Sequence, residues 1–196
     1  MKYSEFCSIV PESRFDICRH VYLENRDRIK IKKEKTVIKN LEKISRALLK
    51  VGVEKGFQAM TVRDLCSHSN LSMGALYSYF SSKEELLRAF LSEGRKIISQ
   101  VLEEFIENEK DPAAKLETAV EVHLFLSEKM QKWFYFSYME ARNLSPVEKE
   151  YAVQSELYTE KLIEDVLVNG HSKGVFKARD NALAASVIKA MLQDWY

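Results

Sequence analysis

The segment Thr61 to Lys83 places hydroxyl, phenol and ammonium groups on a pattern typical of two short helices joined by a tight turn. Thr61 is a helix N-cap whose hydroxyl can accept a hydrogen bond from an unpaired amide, and Asp64 stands at the third helical position. After the turn, Ser72 caps a second helix that we predict to run from Met73 to Phe80. Such groups on a short helix suit contact with the phosphates and base edges of nucleic acid.

The second of these helices has a clear inner side. Leu76 and Phe80, spaced i and i+4, form the core side. The spacing places four residues largely outward: Met73, Ala75, Tyr77 and Tyr79. An exposed helix after a tight turn reads DNA in many proteins, but capped helix pairs also occur in bundles that bind no nucleic acid. The pattern therefore leaves DNA binding and protein binding both open.

Catalytic and metal-binding patterns are missing from the sequence. The four histidines are scattered over positions 20, 68, 123 and 171, and neither a glycine-rich phosphate loop nor a nucleophile elbow is present. The cysteines are an odd number at wide spacing, at positions 7, 18 and 66, which predicts neither a disulfide framework nor a zinc site. We therefore expect no catalytic residues, metal or cofactor, and a protein that is not an enzyme.

The net charge of +1 conceals an uneven distribution. Residues 26–96 hold 16 Lys and Arg against 8 Asp and Glu, whereas residues 97–196 hold 11 against 17. A basic segment around the two-helix unit, followed by an acidic body, is the electrostatic pattern expected of a DNA-binding head. The sequence has no run of 18 apolar residues and no secretion signal, so we expect a cytosolic protein without a membrane span.

The rest of the chain predicts helices and no strands. With 6 Gly and 3 Pro among 196 residues, it is poor in the turns that a sheet-rich fold needs. Apolar spacing and caps predict helices over residues 36–55, 82–108, 111–129, 130–142, 145–169 and 180–196. Residues 1–25 predict a loosely ordered extension with one short helix around 13–23. The fold class is therefore all-α, with a three-helix helix-turn-helix head joined by a long helix to a C-terminal helical domain.

Residues 44–91 resemble the DNA-binding domain of the TetR/AcrR family of bacterial repressors. The shared pattern consists of Gly56-Phe57, Thr61 to Leu65, Gly74, Leu76-Tyr77, Tyr79-Phe80, Lys83-Glu84 and Leu86. The resemblance implies an N-terminal extension with a basic arm (1–35), a helix-turn-helix DNA-binding domain (36–84) and a ligand-binding and dimerisation domain (85–196). It also implies a homodimeric repressor that binds a palindromic operator in double-stranded DNA and is released by a small-molecule effector.

The resemblance also assigns DNA-contacting residues. Candidates for base edges or the groove wall are Arg63, Met73, Gly74, Ala75 and Tyr77, with Gly74 allowing close backbone approach. Candidates for phosphate are Thr61, Ser72, Tyr79 and Lys83. The basic stretch 26–35 is a further candidate, as an arm along phosphates or in a minor groove.

The effector site is predicted with less detail. The resemblance implies a ligand cavity in the body, and its candidate lining residues are His123, Phe125, Trp133, Phe136 and Tyr158. An aromatic stripe of this kind also suits a plain hydrophobic core, and the effector itself cannot be read from the sequence. Two other functions stay open: a helical adaptor that uses the two-helix unit for protein contact, and a membrane-surface binder that uses the basic arm. The second is disfavoured because that arm has no aromatic or leucine anchors.

Overall fold

The computed structural model describes residues 1–10, 13–27, 29, 33–140, 144–177 and 180–194, and these residues form ten α-helices and no strand. The helices are α1 (Tyr3–Ile9), α2 (Ser13–Glu24), α3 (Glu34–Ala59), α4 (Val62–Ser69), α5 (Met73–Tyr77), α6 (Lys83–Asn108), α7 (Pro112–Lys129), α8 (Gln131–Glu140), α9 (Pro146–Ser172) and α10 (Asn181–Gln193). The predicted all-α fold is confirmed. Arg28, Lys30 and Lys32 of the basic arm lie outside the described residues, as do Trp195 and Tyr196 of the predicted last helix.

Side-chain caps fix the starts of several helices where the sequence predicted them. Thr61 accepts a hydrogen bond from the Asp64 N–H at the start of α4, and Ser72 accepts one from the Ala75 N–H at the start of α5. Asp111 and Asp180 cap α7 and α10 in the same way. Because each cap satisfies amides that have no partner inside the helix, these residue types locate helix starts.

The N-terminal extension and α5 differ from the predictions. The extension contains two helices where one was predicted, because Phe6 of α1 is fully buried against Phe105 and Phe125, about a hundred residues away in the sequence. Helix α5 ends at Tyr77, three residues before the predicted end at Phe80. Its five residues form little more than one turn.

The described chain divides into two compact units. The first contains residues 1–10, 96–131 and 150–196, and we call it the body. Its core includes Ile163 and Leu167 of α9 with Ala185 and Leu192 of α10. Helix α1 is anchored in the body by Lys129, whose ammonium donates to the Val10 carbonyl over 2.8 Å.

The second unit contains residues 11–95 and 132–149, and we call it the head. It includes the whole of the predicted DNA-binding domain, residues 36–84. Its core is formed by buried apolar residues of α3 to α6, including Leu41, Ile44, Leu48, Leu65, Leu76, Phe80 and Leu86.

Helix α8 is also part of the head, although it follows α7 of the body in sequence. The Phe136 ring occupies the space that a Cβ at Gly52 would need, and the Trp133 ring does the same at Gly94. The Trp133 indole N–H donates to the Phe90 carbonyl over 3.3 Å. Two glycines therefore let two large aromatic rings pack directly on the backbones of α3 and α6.

Candidate nucleic-acid interface

Helix α4 starts from a capping box that is reinforced by an ion pair. The Thr61 N–H donates to the Asp64 carboxylate over 2.7 Å, and the Asp64 N–H donates back to the Thr61 hydroxyl over 3.2 Å. The Lys55 ammonium lies 2.6 Å from the same carboxylate. Hydrogen bonds from Lys55 and Thr61 hold the pKa of Asp64 well below its usual range. The carboxylate therefore stays ionised while it holds the start of α4.

The turn between α4 and α5 depends on Asn70, which has a φ of 55° in the left-handed region. Asparagine tolerates this conformation better than most residues. The Leu71 N–H donates to the Cys66 carbonyl, which closes the turn, and Ser72 then begins α5. The predicted helix-turn-helix is therefore present, with the predicted caps.

Helix α5 presents an open outer face. Leu76 is buried in the head, whereas Met73 is 43% and Tyr77 46% exposed. Nothing stands within 4 Å of the position that a Cβ at Gly74 would take. Ala75 is half-buried, and Thr61, Arg63 and Ser72 are exposed. A ligand can therefore approach both the side chains and the backbone of this helix.

Tyr79 does not share that face, and its predicted outward position is wrong. The residue is only 2% exposed, and its hydroxyl accepts a hydrogen bond from the Asn40 amide over 2.8 Å. The prediction assumed a helix through Phe80, but α5 ends at Tyr77, so helical spacing no longer sets the direction of Tyr79. Burial raises the pKa of its phenol. In this structure Tyr79 contributes to the core of the head.

Lys83 is the second phosphate candidate that has an internal role in the structure. Its side chain is half-buried, and its ammonium donates to the carbonyls of Phe57, Gln58 and Met60 over 3.0, 3.2 and 2.9 Å. The nitrogen also lies 4.7 Å from the centre of the Phe57 ring, within the range of a cation–π contact. The three carbonyls take up the three N–H donors of the ammonium.

The five candidate ligand residues are divided between the two units. Trp133 and Phe136 are buried in the head, where they pack on Gly94 and Gly52. His123, Phe125 and Tyr158 belong to the body. The structure therefore does not place the five residues around one cavity of either unit.

Within the body, the three remaining candidates have different surroundings. His123 lines a cavity of about 10 Å³ together with Thr159 and Lys189, which is room for about one water molecule. Phe125 packs against Phe6 and Tyr3. Tyr158 is exposed beside an open groove of about 610 Å³, and its hydrogen bond with Glu103 raises its pKa.

One buried charged residue of each unit was not marked by any pattern in the sequence. Glu140 of α8 and Lys189 of α10 are 2% and 5% exposed. Glu140 contacts the backbone of residue 57, and Lys189 forms an ion pair with Glu156 over 2.9 Å. Charged residues are rarely buried unless they are paired, so only the tertiary contacts identify them.

The described residues contain neither a cluster suited to a metal ion nor a helix suited to a membrane. In that part of the chain, no three His, Cys, Asp or Glu side chains are grouped closely enough to hold a metal ion. None of the described helices combines the length and apolar character needed to cross a membrane.

Two regions of the chain match known protein families. Residues 44–90 match the model for bacterial regulatory proteins of the tetR family, and residues 109–196 match the tetracyclin repressor-like C-terminal domain. The TetR family transcriptional regulator PfmR from Thermus thermophilus has a similar structure, with 29% identity and a TM-score of 0.72 over 78% of this chain and 85% of PfmR. No curated protein matches the chain.

Two further solved structures share the fold and contain ligands. FadR from Bacillus subtilis, in complex with stearoyl-CoA, is 20% identical with a TM-score of 0.65, over 78% of this chain and 82% of FadR. AibR, in complex with isovaleryl coenzyme A and operator DNA, is 14% identical with a TM-score of 0.68, over 79% of this chain and 84% of AibR.

Proposed function

Because the chain belongs to the tetR family of bacterial regulatory proteins, whose members are transcriptional regulators and not enzymes, we propose that it is a repressor. In this proposal it binds a palindromic operator as a homodimer and is released by a small-molecule effector. Residues 36–84 bind the DNA, and residues 85–196 bind the effector and form the dimer.

The open face of α5 is the observation that supports this function most directly. Met73, Gly74 and Tyr77 are exposed on a helix that is anchored from behind by Leu76. In the proposal this helix enters the major groove, where Met73 offers apolar contact to a thymine methyl and Gly74 allows the backbone to approach. Arg63, Ala75 and Tyr77 complete the base-edge contacts.

Ser72 is the proposed phosphate contact with the clearest chemistry. Its hydroxyl oxygen accepts the Ala75 N–H over 3.1 Å, which leaves its own proton to donate to a phosphate oxygen. Thr61 is exposed nearby on the preceding cap, where its hydroxyl donates to Asp64 over 2.6 Å. Of these two caps, only Ser72 therefore offers a hydroxyl proton in this geometry.

Exposed apolar side chains on α9 and α10 support the proposed dimer. These helices carry large hydrophobic residues that are about half or more exposed in the single chain: Val153, Leu157, Leu183, Val187 and Met191. Large apolar side chains exposed together on two helices are typical of an interface between subunits. A two-fold dimer would place two copies of α5 in successive major grooves of a palindrome.

Acyl-CoA thioesters are the first effector class to test. FadR and AibR were both crystallised with such a molecule. In this chain the cavity at His123 is too small for an acyl group, so an effector that binds there would have to open the body. That requirement links occupancy of the body to a change of shape, which a released repressor needs.

Fluorescence anisotropy on DNA tests the function. The full chain is titrated onto labelled DNA from its own upstream region and onto a scrambled duplex, after light scattering has established its mass. We expect a dimer that prefers the upstream DNA, and Tyr77→Ala should weaken that binding by about five- to 150-fold, the loss of roughly 1–3 kcal/mol of base contact. Tyr138→Ala is the matched control, because Tyr138 is a 77% exposed tyrosine of α8.

The same titration separates the alternatives. Equal, weak binding to both duplexes by the wild-type protein would contradict operator recognition and favour the helical adaptor. A preference that survives in Tyr77→Ala would leave DNA binding intact but reject α5 as its reading helix.

A further inference from the structure

The short segment Gly56 to Met60 connects the long first helix of the head to the helix-turn-helix. Gly56 has a φ of 76° and a ψ of 158°, so it interrupts the helical path of α3 before the chain reaches Thr61. This conformation is accessible to glycine and strained for other residues. The break frees backbone groups of the following residues from helical hydrogen bonding, and these groups need other partners.

Two charged side chains from distant parts of the sequence supply those partners. The Glu140 carboxylate accepts the Phe57 N–H over 3.0 Å in a buried setting. The Lys83 ammonium binds three carbonyls of the same segment, those of Phe57, Gln58 and Met60. Two side chains therefore hold residue 57: the Glu140 carboxylate accepts from its N–H, and the Lys83 ammonium donates to its carbonyl.

The position of Lys83 in the chain makes these contacts relevant to recognition. Lys83 is the first residue of α6 and closely follows α5, whereas the segment 56–60 directly precedes the cap of α4. The Lys83 bonds therefore join the two ends of the helix-turn-helix, residues 61–82, to each other. Glu140 fixes the joint from α8, beyond the residues 44–90 that match the family's DNA-binding domain.

We propose that Lys83 and Glu140 are positioning residues that form a clamp on residues 56–60 and thereby hold α5 in the orientation in which it reads DNA. The inference rests on the proposed function. It gives Lys83 a different role from the phosphate contact that the sequence suggested. In that role Lys83 acts through the backbone of residues 57, 58 and 60, with all three of its N–H donors used inside the protein.

The salt dependence of DNA binding separates these two roles. A lysine that neutralises a phosphate releases a counterion, so its loss makes the slope of log affinity against log salt shallower by about one unit. A positioning lysine leaves that slope unchanged. Lys83→Met suits the test, because methionine keeps an apolar stem against Phe57 and removes the donors. We expect about tenfold weaker operator binding at every salt concentration, the order of effect of losing hydrogen bonds from a charged donor.

Variants at residue 140 complete the experiment. Glu140→Ala leaves the buried Phe57 N–H without this acceptor, and we expect a similar loss with an unchanged slope. Glu140→Gln keeps an acceptor oxygen and should recover most of the affinity that Glu140→Ala loses. Lys83→Arg keeps N–H donors and should recover most of the affinity that Lys83→Met loses. The double variant Lys83→Met with Glu140→Ala should lose less than the product of the two single losses, because both act on one segment.

Each outcome has a defined consequence. The clamp is overturned if Lys83→Met has a shallower salt slope, or if either Lys83→Met or Glu140→Ala binds the operator as tightly as the wild-type protein. In that case, operator binding by the wild-type protein still supports the repressor function. Equal binding of the wild-type protein to upstream and scrambled DNA would contradict the proposed function itself. Thermal unfolding of each variant is measured alongside, and if Lys83→Met does not fold, Glu140→Ala and its Gln rescue decide by the same criteria.

Discussion

Glu140 of the head and Lys189 of the body are both buried charged residues, but they bind different kinds of partner. In the head, Glu140 and Lys83 bind backbone groups of residues 57–60, where the chain leaves a helix. In the body, Lys189 is buried on α10 and pairs with the side chain of Glu156 on α9, 2.9 Å away. His123 lines the same small cavity as Lys189.

The difference follows from where each charge meets the backbone. In the head, Gly56 interrupts α3, so backbone groups of the residues that follow it lie at a helix break and need partners. Helices α7 and α9 of the body have 18 and 27 residues and satisfy most of their own backbone groups. A charge buried among long helices finds few free backbone groups, so another side chain must be its partner.

Phe136→Ala, in the head, should change the free energy of unfolding more than any other substitution considered. If α8 belongs to the head, removal of the ring leaves a cavity against Gly52, and the free energy of unfolding should fall by about 3–5 kcal/mol. Urea unfolding monitored by circular dichroism measures it. Tyr135→Ala is the control on the same helix, because Tyr135 is exposed and should change the value by about 0.5 kcal/mol or less. A loss below about 1 kcal/mol in Phe136→Ala would show that α8 does not support the head.

What the sequence allowed us to predict depends on how far apart two interacting residues lie along the chain. The caps at Thr61, Ser72, Asp111 and Asp180 involve partners two or three residues away, so residue type and spacing identify them. The all-α fold follows from such caps and from apolar spacing.

Contacts between distant residues were not predictable in this way. Glu140 binds a residue 83 positions away, and nothing near Glu140 in the sequence marks it as buried. Trp133 and Phe136 read equally well as ligand contacts or as core, and only the glycines opposite them, at positions 94 and 52, show that they pack on the head. Tyr79 was misplaced because the end of α5, and hence the direction of the following side chains, depends on the fold around it.

His123 provides the corresponding test in the body. Burial, and then the positive charge of Lys189, lower the pKa of its imidazole to about 3. Since the unfolded value is near 6.5, the folded body needs the neutral ring, and stability present above pH 6.5 is lost as the pH falls towards 3. Between about pH 6 and pH 4 this one group should remove about 2.5 kcal/mol from the free energy of unfolding.

Urea unfolding of wild type and His123→Leu across that pH range measures the contribution as a difference between two curves. The variant should be less sensitive to acid by about 2.5 kcal/mol. Ile163→Val, in the same cavity, is the control, because it should lower the free energy of unfolding by about 1 kcal/mol at every pH. Parallel curves for wild type and His123→Leu would mean that the ring is not held neutral in the interior.

Gly74→Ala makes the smallest change in stability and compares a glycine of the head with one of the body. A Cβ at Gly74 meets nothing within 4 Å, so alanine should raise the free energy of unfolding by about 0.5 kcal/mol through a less flexible unfolded chain. The same methyl group on the open face of α5 should weaken operator binding by about tenfold, the effect of a steric misfit of roughly 1.4 kcal/mol.

Gly170→Ala is the matched substitution in the body, where the new Cβ would collide with the Phe176 ring, and it should lower stability. Urea unfolding and anisotropy on the same preparations measure both effects. A more stable Gly74→Ala protein with undiminished operator affinity would mean that DNA does not approach the backbone of α5. The combination of higher stability and weaker binding would show that this glycine is kept for access to DNA, whereas the body uses its glycine for packing.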